Sequence, residues 1–254
     1  MNKRLWVVLA ILTVGIVVGA AIFAGKQSSE KVDVSAIDEW KLATEKTVGK
    51  NQIPDHYLGD KDSKVVVVLY EDFACSHCNQ ISGDIEQIYE DYKDRVLFIY
   101  RNFSLGYPNS QVTQQAAEAA YLAGGEEAYW QMNELLYSTR MWISQAVPEQ
   151  ERKDTLNGYA KEIGLDVDKF NKFIEDRYKN GIRDKIERDK GLGVKVGVNG
   201  TPALFVNEKK VNKAINADIR AAIDVALKKA GITTGAPEKA PEKDEENPDS
   251  TKNP

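Results

Sequence analysis

The apolar run VVVVLY, Val65 to Tyr70, leads almost directly into a pair of cysteines separated by two residues. A wholly apolar, β-branched run of this kind predicts a strand that is buried on both faces. After Cys75 the apolar positions fall three and four residues apart, which predicts a helix with Cys75 at its N-terminus and Cys78 on its buried face. The chain therefore places a CxxC motif where a central strand passes into a helix.

Further strand and helix patterns follow in an order that predicts an α/β fold. VLFIY, Val96 to Tyr100, predicts a second strand, which a right-handed crossover would place parallel to the first. Residues 108–194 carry helical patterns, and ALFV, from Ala203, predicts a strand with a hairpin and a last helix after it. We expect a short lead-in helix around Trp40. The pattern is that of a sheet interrupted in its middle by a helical block.

The N-terminal segment from Leu5 to Ala24 contains twenty residues without a charge and follows two basic residues. A helix of that length crosses a hydrocarbon core of about 30 Å, whereas the apolar region of a cleaved signal usually has about 7–15 residues. Length therefore favours a membrane anchor, and a signal cleaved near Gly19 or Ala21 is the alternative. The basic residues at the extreme N-terminus predict that the rest of the chain lies outside the cytoplasm.

The C-terminal end, from Gly235 onward, is rich in Pro, Glu, Asp and Lys and has no large apolar residue, which predicts disorder. Its six acids and three lysines carry −3 of the chain's net charge of −5, so the remainder is nearly neutral. No basic surface indicates a nucleic-acid partner. Cys75 and Cys78 are the only cysteines in 254 residues, and a single close pair in an exported protein points to redox chemistry.

Three motifs in this order, YEDFACSHC, RNFSLGYPNS and GVNGTPALFVN, resemble those of the DsbA family of bacterial thiol-disulfide oxidoreductases. The resemblance covers residues 57–231 and is closest to the membrane-anchored, BdbD-like branch. It implies a thioredoxin fold with an inserted helical domain, preceded here by a transmembrane helix. Cys75 would be the attacking cysteine, Cys78 the resolving one, and Pro202 a cis-proline that faces them. Thr201 would pair through its backbone with an extended substrate.

The chemistry of the residues agrees with these roles. A thiolate at a helix N-terminus is stabilised by unpaired backbone N–H groups and by the helix dipole, and Cys75 has that position. Cys78 should stay protonated until it attacks the mixed disulfide. His77 can donate a hydrogen bond or present a positive charge to the Cys75 sulfur.

The resemblance also implies a domain organisation. We predict a membrane anchor or signal at 1–25, a spacer at 26–56, a first thioredoxin-like part with the CxxC motif at 57–107, an inserted helical domain at 108–194, a second thioredoxin-like part with the cis-proline at 195–231, and a disordered acidic tail at 232–254.

The function implied is that of an enzyme, a dithiol oxidase anchored at the extracytoplasmic face of a bacterial cell membrane. Unfolded or partly folded exported proteins would be its substrates, and a quinone-linked membrane partner, DsbB-like or VKOR-like, would reoxidise it. The redox-active disulfide between Cys75 and Cys78 replaces any cofactor, and a monomer is expected. A thioredoxin-like reductase is the alternative within redox chemistry.

Other uses of these residues compete with the redox interpretation. A zinc site would need two ligands beyond the cysteine pair, and the chain offers only His56 and His77 as histidines. A purely structural disulfide would close a tiny loop and so constrain little chain entropy. A chaperone could bind unfolded chains on an exposed apolar patch, for which the run from Met141 to Ile143 is the candidate.

We predict a smaller role in the exchange chemistry for the acidic residues near the CxxC motif than for the cysteines. Leu69 stands where the best-known DsbA members carry a buried acid, and Glu71 and Asp72 are expected to point elsewhere or to lie past the strand's end. A proton-relay role therefore stays open, with Glu71 the nearest candidate. We interpret Asp60, Asp62 and Asp72 as solvated surface rather than a calcium site.

Overall fold

The computed structural model describes residues 32–50, 52–143 and 145–234. The predicted membrane anchor and the acidic tail after residue 234 lie outside these ranges. Among the helices that are described, none has the length and apolar composition needed to cross a bilayer. All the strands within the described residues lie in the unit that begins at Val34.

Five strands of the described chain form one sheet in the order β1-β3-β2-β4-β5. The parallel pairing of β2 with β3 confirms the predicted crossover, and every other neighbouring pair is antiparallel. The strands are β1, His56–Gly59; β2, Val66–Glu71; β3, Leu97–Asn102; β4, Ala203–Val206; and β5, Lys209–Lys210.

The edge strand β1 was not predicted, because the spacer was expected to run to residue 56. Its four residues are too short to show an alternating pattern, and pairing with β3 defines it, with His56 opposite Tyr100. Gly59 ends β1 with a φ of 89°, and a Cβ there would lie 2.1 Å from the carbonyl oxygen of Val96. Only glycine fits this close approach of two backbones.

The helices cover both faces of the sheet. They are α1, Glu45–Val48; α2, Ser76–Tyr92; α3, Ser110–Tyr137; α4, Glu149–Glu162; α5, Val167–Glu175; α6, Ile182–Lys195; and α7, Asn216–Ala230. Apolar residues of α2 and α7 pack with Leu69 and Phe98 in one core cluster, whereas Tyr70 and Phe205 face the opposite side. The expected helix around Trp40 is wrong, because Trp40 lies in a turn and packs its ring 5.2 Å from that of Phe205.

The helices α3 to α6 follow β3 and precede β4, and they enclose their own apolar cluster. Helix α3 consists of two helical segments that meet at Gly125, where a φ of 83° breaks the helical geometry. The predicted exposed patch is also wrong. Trp142 is fully buried in this cluster, and Met141 and Ile143 are half-buried, because the loop after α3 folds over the helical core.

A buried network of ion pairs joins α6 to the sheet and to the residues before it. The Asp55 carboxylate forms ion pairs with Arg101 at 2.8 Å and with Lys185 at 3.4 Å. The Asp189 carboxylate forms an ion pair with Lys185 at 2.6 Å. The side chains of these four residues are fully buried. The three basic groups around Asp55, which include Arg188, outweigh its burial and hold its pKa below the usual range. Such a network fixes the orientation of its members, because each loses its partner if one moves.

Candidate active site

Both cysteines lie at the start of α2, and both are free thiols. Cys75 has extended backbone angles and occupies the N-cap position, with its carbonyl accepting a hydrogen bond from the Asn79 N–H at 3.1 Å. Cys75 is 3% exposed and Cys78 is completely buried. The strand β2 ends at Glu71 and α2 begins at Ser76. Four residues connect them, and Cys75 is the last of the four.

The Cys75 thiol is the acidic member of the pair, with its pKa lowered to about 5. Hydrogen bonding from the Cys78 thiol is the largest cause, and the Thr201 side chain and the backbone N–H groups of Cys78 and His77 add to it. Burial acts in the opposite direction. These donors compensate the negative charge, as the helix N-terminus predicted.

The Cys78 thiol has its pKa raised well above the ordinary value. Burial is the first cause, and hydrogen bonding with Cys75 and the nearby charge of Glu71 are the next. The pair is therefore split into one thiol that ionises easily and one that keeps its proton. Thiol-disulfide exchange needs this division, because only the thiolate attacks and the second thiol waits.

Thr201 and Pro202 face the pair from the loop before β4. The peptide bond between them is cis, as the resemblance implied, and the Cys75 thiol donates a hydrogen bond to the Thr201 carbonyl oxygen at 3.3 Å. Among the described residues the Thr201 hydroxyl has no partner in the thiol form, and it is placed to donate to the thiolate. The structure thus brings Cys75, Cys78, Thr201 and Pro202 together.

His77 contributes differently from the expectation. Its side chain is exposed, and it reaches the Cys75 sulfur through its backbone N–H. The hydrogen bond expected from the side chain therefore comes from the main chain.

Glu71 is a buried carboxyl group beside the cysteines, which corrects the expectation that it points elsewhere. It is the last residue of β2 and, two positions after Leu69, lies on the same face of the strand. Glu71 is 9% exposed, and burial raises its pKa to about 8 despite a hydrogen bond from the Tyr137 hydroxyl at 3.2 Å. Strand alternation from Leu69 gives the face on which Glu71 lies, whereas its burial depends on the helical insert that covers it.

Asp72 is also buried rather than solvated. Its Oδ1 accepts the Ala74 N–H at 3.0 Å, and its Oδ2 accepts the Ser110 hydroxyl at 2.6 Å and the Leu105 N–H at 2.9 Å. Burial raises its pKa against these hydrogen bonds. Asp72 therefore fixes the segment before Cys75 to the start of α3, a role that no local pattern revealed.

Within the described ranges no three His, Cys, Asp or Glu side chains are grouped so that they could hold a metal ion. His56, the histidine considered as a distant ligand, is instead completely buried and pairs with Glu118 at 2.9 Å. The arrangement of the two thiols is that of an exchange site.

Comparison with known proteins decides the family. A family model described as thioredoxin matches residues 51–225, more than half of the chain. The chain belongs to the thioredoxin family. Among solved structures, α-DsbA2 from Wolbachia pipientis has 26% identity and a TM-score of 0.57, covering 67% of this chain and 86% of that one.

The thioredoxin fold with a helical insertion recurs in BdbD from Bacillus subtilis, with 23% identity, a TM-score of 0.58, and coverage of 74% of this chain and 97% of that one. The chain is thus similar in structure to thiol-disulfide exchange proteins of the DsbA and BdbD type. A curated relative, the Na(+)/H(+) antiporter NhaA 1 of Salinispora arenicola, is 32% identical over 158 residues, which are 61% of this chain and 22% of that protein. The chain thus spans about a fifth of the length of the curated relatives it matches.

Proposed function

We propose that this thioredoxin-family protein is a dithiol oxidase that donates its Cys75–Cys78 disulfide to exported proteins. The Cys75 thiolate is the leaving group when the reduced enzyme is formed. The observation that carries the proposal is the asymmetry of the pair, with a Cys75 pKa of about 5 and a Cys78 pKa well above the ordinary value. A stabilised leaving thiolate makes the disulfide a stronger oxidant.

The size of this effect follows from the Cys75 pKa. At pH 7 a thiol with a pKa of about 5 is stabilised as thiolate by about 3 kcal/mol, at about 1.4 kcal/mol per pH unit. That free energy favours the dithiol over the disulfide and corresponds to about 60 mV in a two-electron reduction potential. An ordinary thiol, with a pKa of about 8.5, gains almost nothing at pH 7.

The reaction proceeds in two exchanges. A substrate thiolate attacks the Cys75 sulfur and forms a mixed disulfide, while Cys78 is released as the buried thiol and takes up a proton. A second thiolate of the same substrate then attacks the substrate sulfur of the mixed disulfide. The substrate disulfide forms, and Cys75 leaves as the stabilised thiolate. The Thr201 carbonyl, already 3.3 Å from the Cys75 sulfur, lies where an extended substrate segment can donate a backbone N–H.

The cellular setting belongs to the same proposal. The apolar segment at 5–24 anchors the protein, as a monomer, at the extracytoplasmic face of the membrane. Its substrates are unfolded or partly folded exported proteins, and a quinone-linked membrane protein restores the disulfide. The similarity of the fold to that of a periplasmic thioredoxin-like protein from Salmonella enterica supports this compartment.

The reduction potential of the pair tests the proposal. The protein is equilibrated with glutathione buffers, and tryptophan fluorescence reports the fraction reduced. We expect a potential above about −180 mV, in the range of oxidising disulfides. A value near about −270 mV, typical of thioredoxin-like reductants, would contradict the oxidase assignment.

A turnover assay complements the potential. The oxidised protein should form disulfides in a reduced, unfolded substrate, and Cys75→Ser should abolish this activity. Gln80→Ala is the matched control, because Gln80 is exposed on the same helix. Substrate oxidation that survives in Cys75→Ser would count against the proposed reaction.

A further inference from the structure

A cavity of ≈ 450 Å³ opens beside the cysteine helix. Neither cysteine lines it. Its walls come from α2, α3 and the sheet, and four aromatic side chains form much of its lining: Tyr89, Tyr100, Trp130 and Tyr137. The volume is within the range of about 300–1,000 Å³ that small-molecule sites occupy.

The charge of this cavity has one sign. Its charged lining residues are Glu71, Glu86, Glu90 and Glu134, and no Lys, Arg or His side chain of the described chain lines it. Glu90 is paired with Lys93 at 2.6 Å. Glu86 and Glu134 are exposed at the mouth, and neither has an ion-pair partner in the part of the chain that the structure describes. The mouth therefore attracts cations.

Glu71 lies at the buried end of the cavity and provides an independent sign of a ligand. It is 9% exposed, and its Oε1 has no hydrogen-bond partner among the described residues. The Tyr137 hydroxyl donates only to Oε2. A buried carboxyl oxygen without a hydrogen-bond partner is costly, so a donor that enters the cavity satisfies an atom that the fold leaves unpaired.

The aromatic walls define the kind of cation. The rings of Tyr100 and Trp130 meet edge to face with centroids 4.7 Å apart. Trp130 is held in place by a hydrogen bond from its indole N–H to Glu126 at 3.1 Å. Aromatic faces attract organic cations and accommodate apolar stems. Within the described residues no three acids are close enough together to chelate a metal ion, so a compact divalent cation does not fit this site.

We propose that this cavity, the glutamate–aromatic pocket, binds an organic cation, namely a primary ammonium or guanidinium group carried on an apolar stem. Glu71 is ionised in the complex, its proton being released when the cation binds, and its Oε1 accepts a hydrogen bond from the cation. The stem lies against Tyr100 and Trp130. Glu86 and Glu134 attract it at the mouth. The same chemistry is available from a basic side chain of a polypeptide and from a free small amine, and the experiment separates the two.

Isothermal titration calorimetry at pH 9, above the Glu71 pKa of about 8, tests the pocket on the purified full-length protein in its reduced form. The probe is arginine blocked as N-acetyl and N-methylamide, and its control is citrulline blocked in the same way, which has almost the same shape without the charge. We expect the arginine compound to bind at least about tenfold more tightly, because a charged donor forms a stronger hydrogen bond with a buried acceptor than a neutral donor does. Equal binding of the two compounds would overturn the proposal.

Variants place the binding in this pocket. Glu71→Gln should weaken binding by about tenfold or more, and Glu134→Gln, at an exposed position that does not threaten the fold, by about two- to fivefold. Glu127→Gln is the matched control, since it is exposed on the same helix but outside the pocket. Unchanged affinity in both Glu71→Gln and Glu134→Gln would overturn the assignment.

A further titration with agmatine, a free guanidinium amine, identifies the source of the ligand. Tighter binding of the blocked arginine assigns the pocket to a polypeptide side chain, and tighter binding of agmatine assigns it to a free amine. The measurement requires no turnover, and Cys75→Ser should retain the binding. Loss of the oxidase proposal would therefore leave this result intact, and the reverse also holds.

Discussion

Glu71→Gln should make the folded protein more stable at alkaline pH. Glu71 is buried at the end of β2, and its pKa is raised by burial from 4.5 to about 8. An unfolded chain releases this proton near the ordinary pKa, whereas the folded protein keeps it until about pH 8. Stability is therefore lost as the pH rises between those two values, because the unfolded state binds fewer protons there.

The magnitude follows from the same two pKa values. The interval from 4.5 to about 8 corresponds to a loss of up to about 5 kcal/mol, at about 1.4 kcal/mol per pH unit. Glutamine keeps the shape of Glu71 and can still accept the hydrogen bond from Tyr137, but it has no charge to bury. We expect the variant to match the wild type near pH 4 and to exceed its stability by up to about 5 kcal/mol at pH 9.

Urea unfolding of the reduced protein from pH 4 to pH 9, in both the wild type and Glu71→Gln, measures this difference. Other titrating groups act equally on both proteins and cancel in the comparison. Repeating the pair in a Cys75→Ser background removes the thiolate charge, and most of the difference should remain because burial is the larger cause. Parallel stability curves for the two proteins across this range would refute the reasoning.

Three further predictions follow from the site and the core. Cys78→Ala should raise the Cys75 pKa above about 5, since the Cys78 thiol is its main stabiliser; an unchanged ultraviolet thiolate titration would contradict this. Asp55→Asn should lower the free energy of unfolding by about 3–5 kcal/mol, because three buried basic side chains lose their charged partner, and denaturant titration checks it. Gly59→Ala should destabilise by more than Gly49→Ala in thermal unfolding. Both glycines have a positive φ, but only Gly59 would press its Cβ against a neighbouring carbonyl.

Elements with a regular apolar pattern were predicted well from the sequence. The β-branched run before the motif forms β2, and the spacing of three and four residues after Cys75 forms α2. Each pattern reports which side of an element is buried, and burial of that side is what stabilises the element. β1 had no such pattern, since its strand exists through hydrogen bonds to β3, a partner about 40 residues later.

The residues of the candidate active site also divide into those that the local sequence specifies and those that it does not. Cys75 could be assigned from sequence because the largest cause of its low pKa is the thiol of the neighbouring Cys78, and the helix N–H groups that add to it are also local. The contribution of the Thr201 side chain is not local. Glu71, Asp72 and Trp142 were misjudged because their exposure depends on how the helical insert covers them. The Ser110 hydroxyl that binds Asp72 belongs to α3, beyond the reach of any local pattern.

The sequence by itself determined the central strand, the cysteine helix and the order of attacking and resolving thiols, because each is encoded within about one turn or one strand of chain. Only the tertiary structure decided that Glu71 is a buried acid with a pKa of about 8, and that the Thr201 carbonyl, 126 residues away in sequence, meets the Cys75 thiol. Burial and electrostatic environment are set by atoms distant in the chain, so no local pattern can specify them.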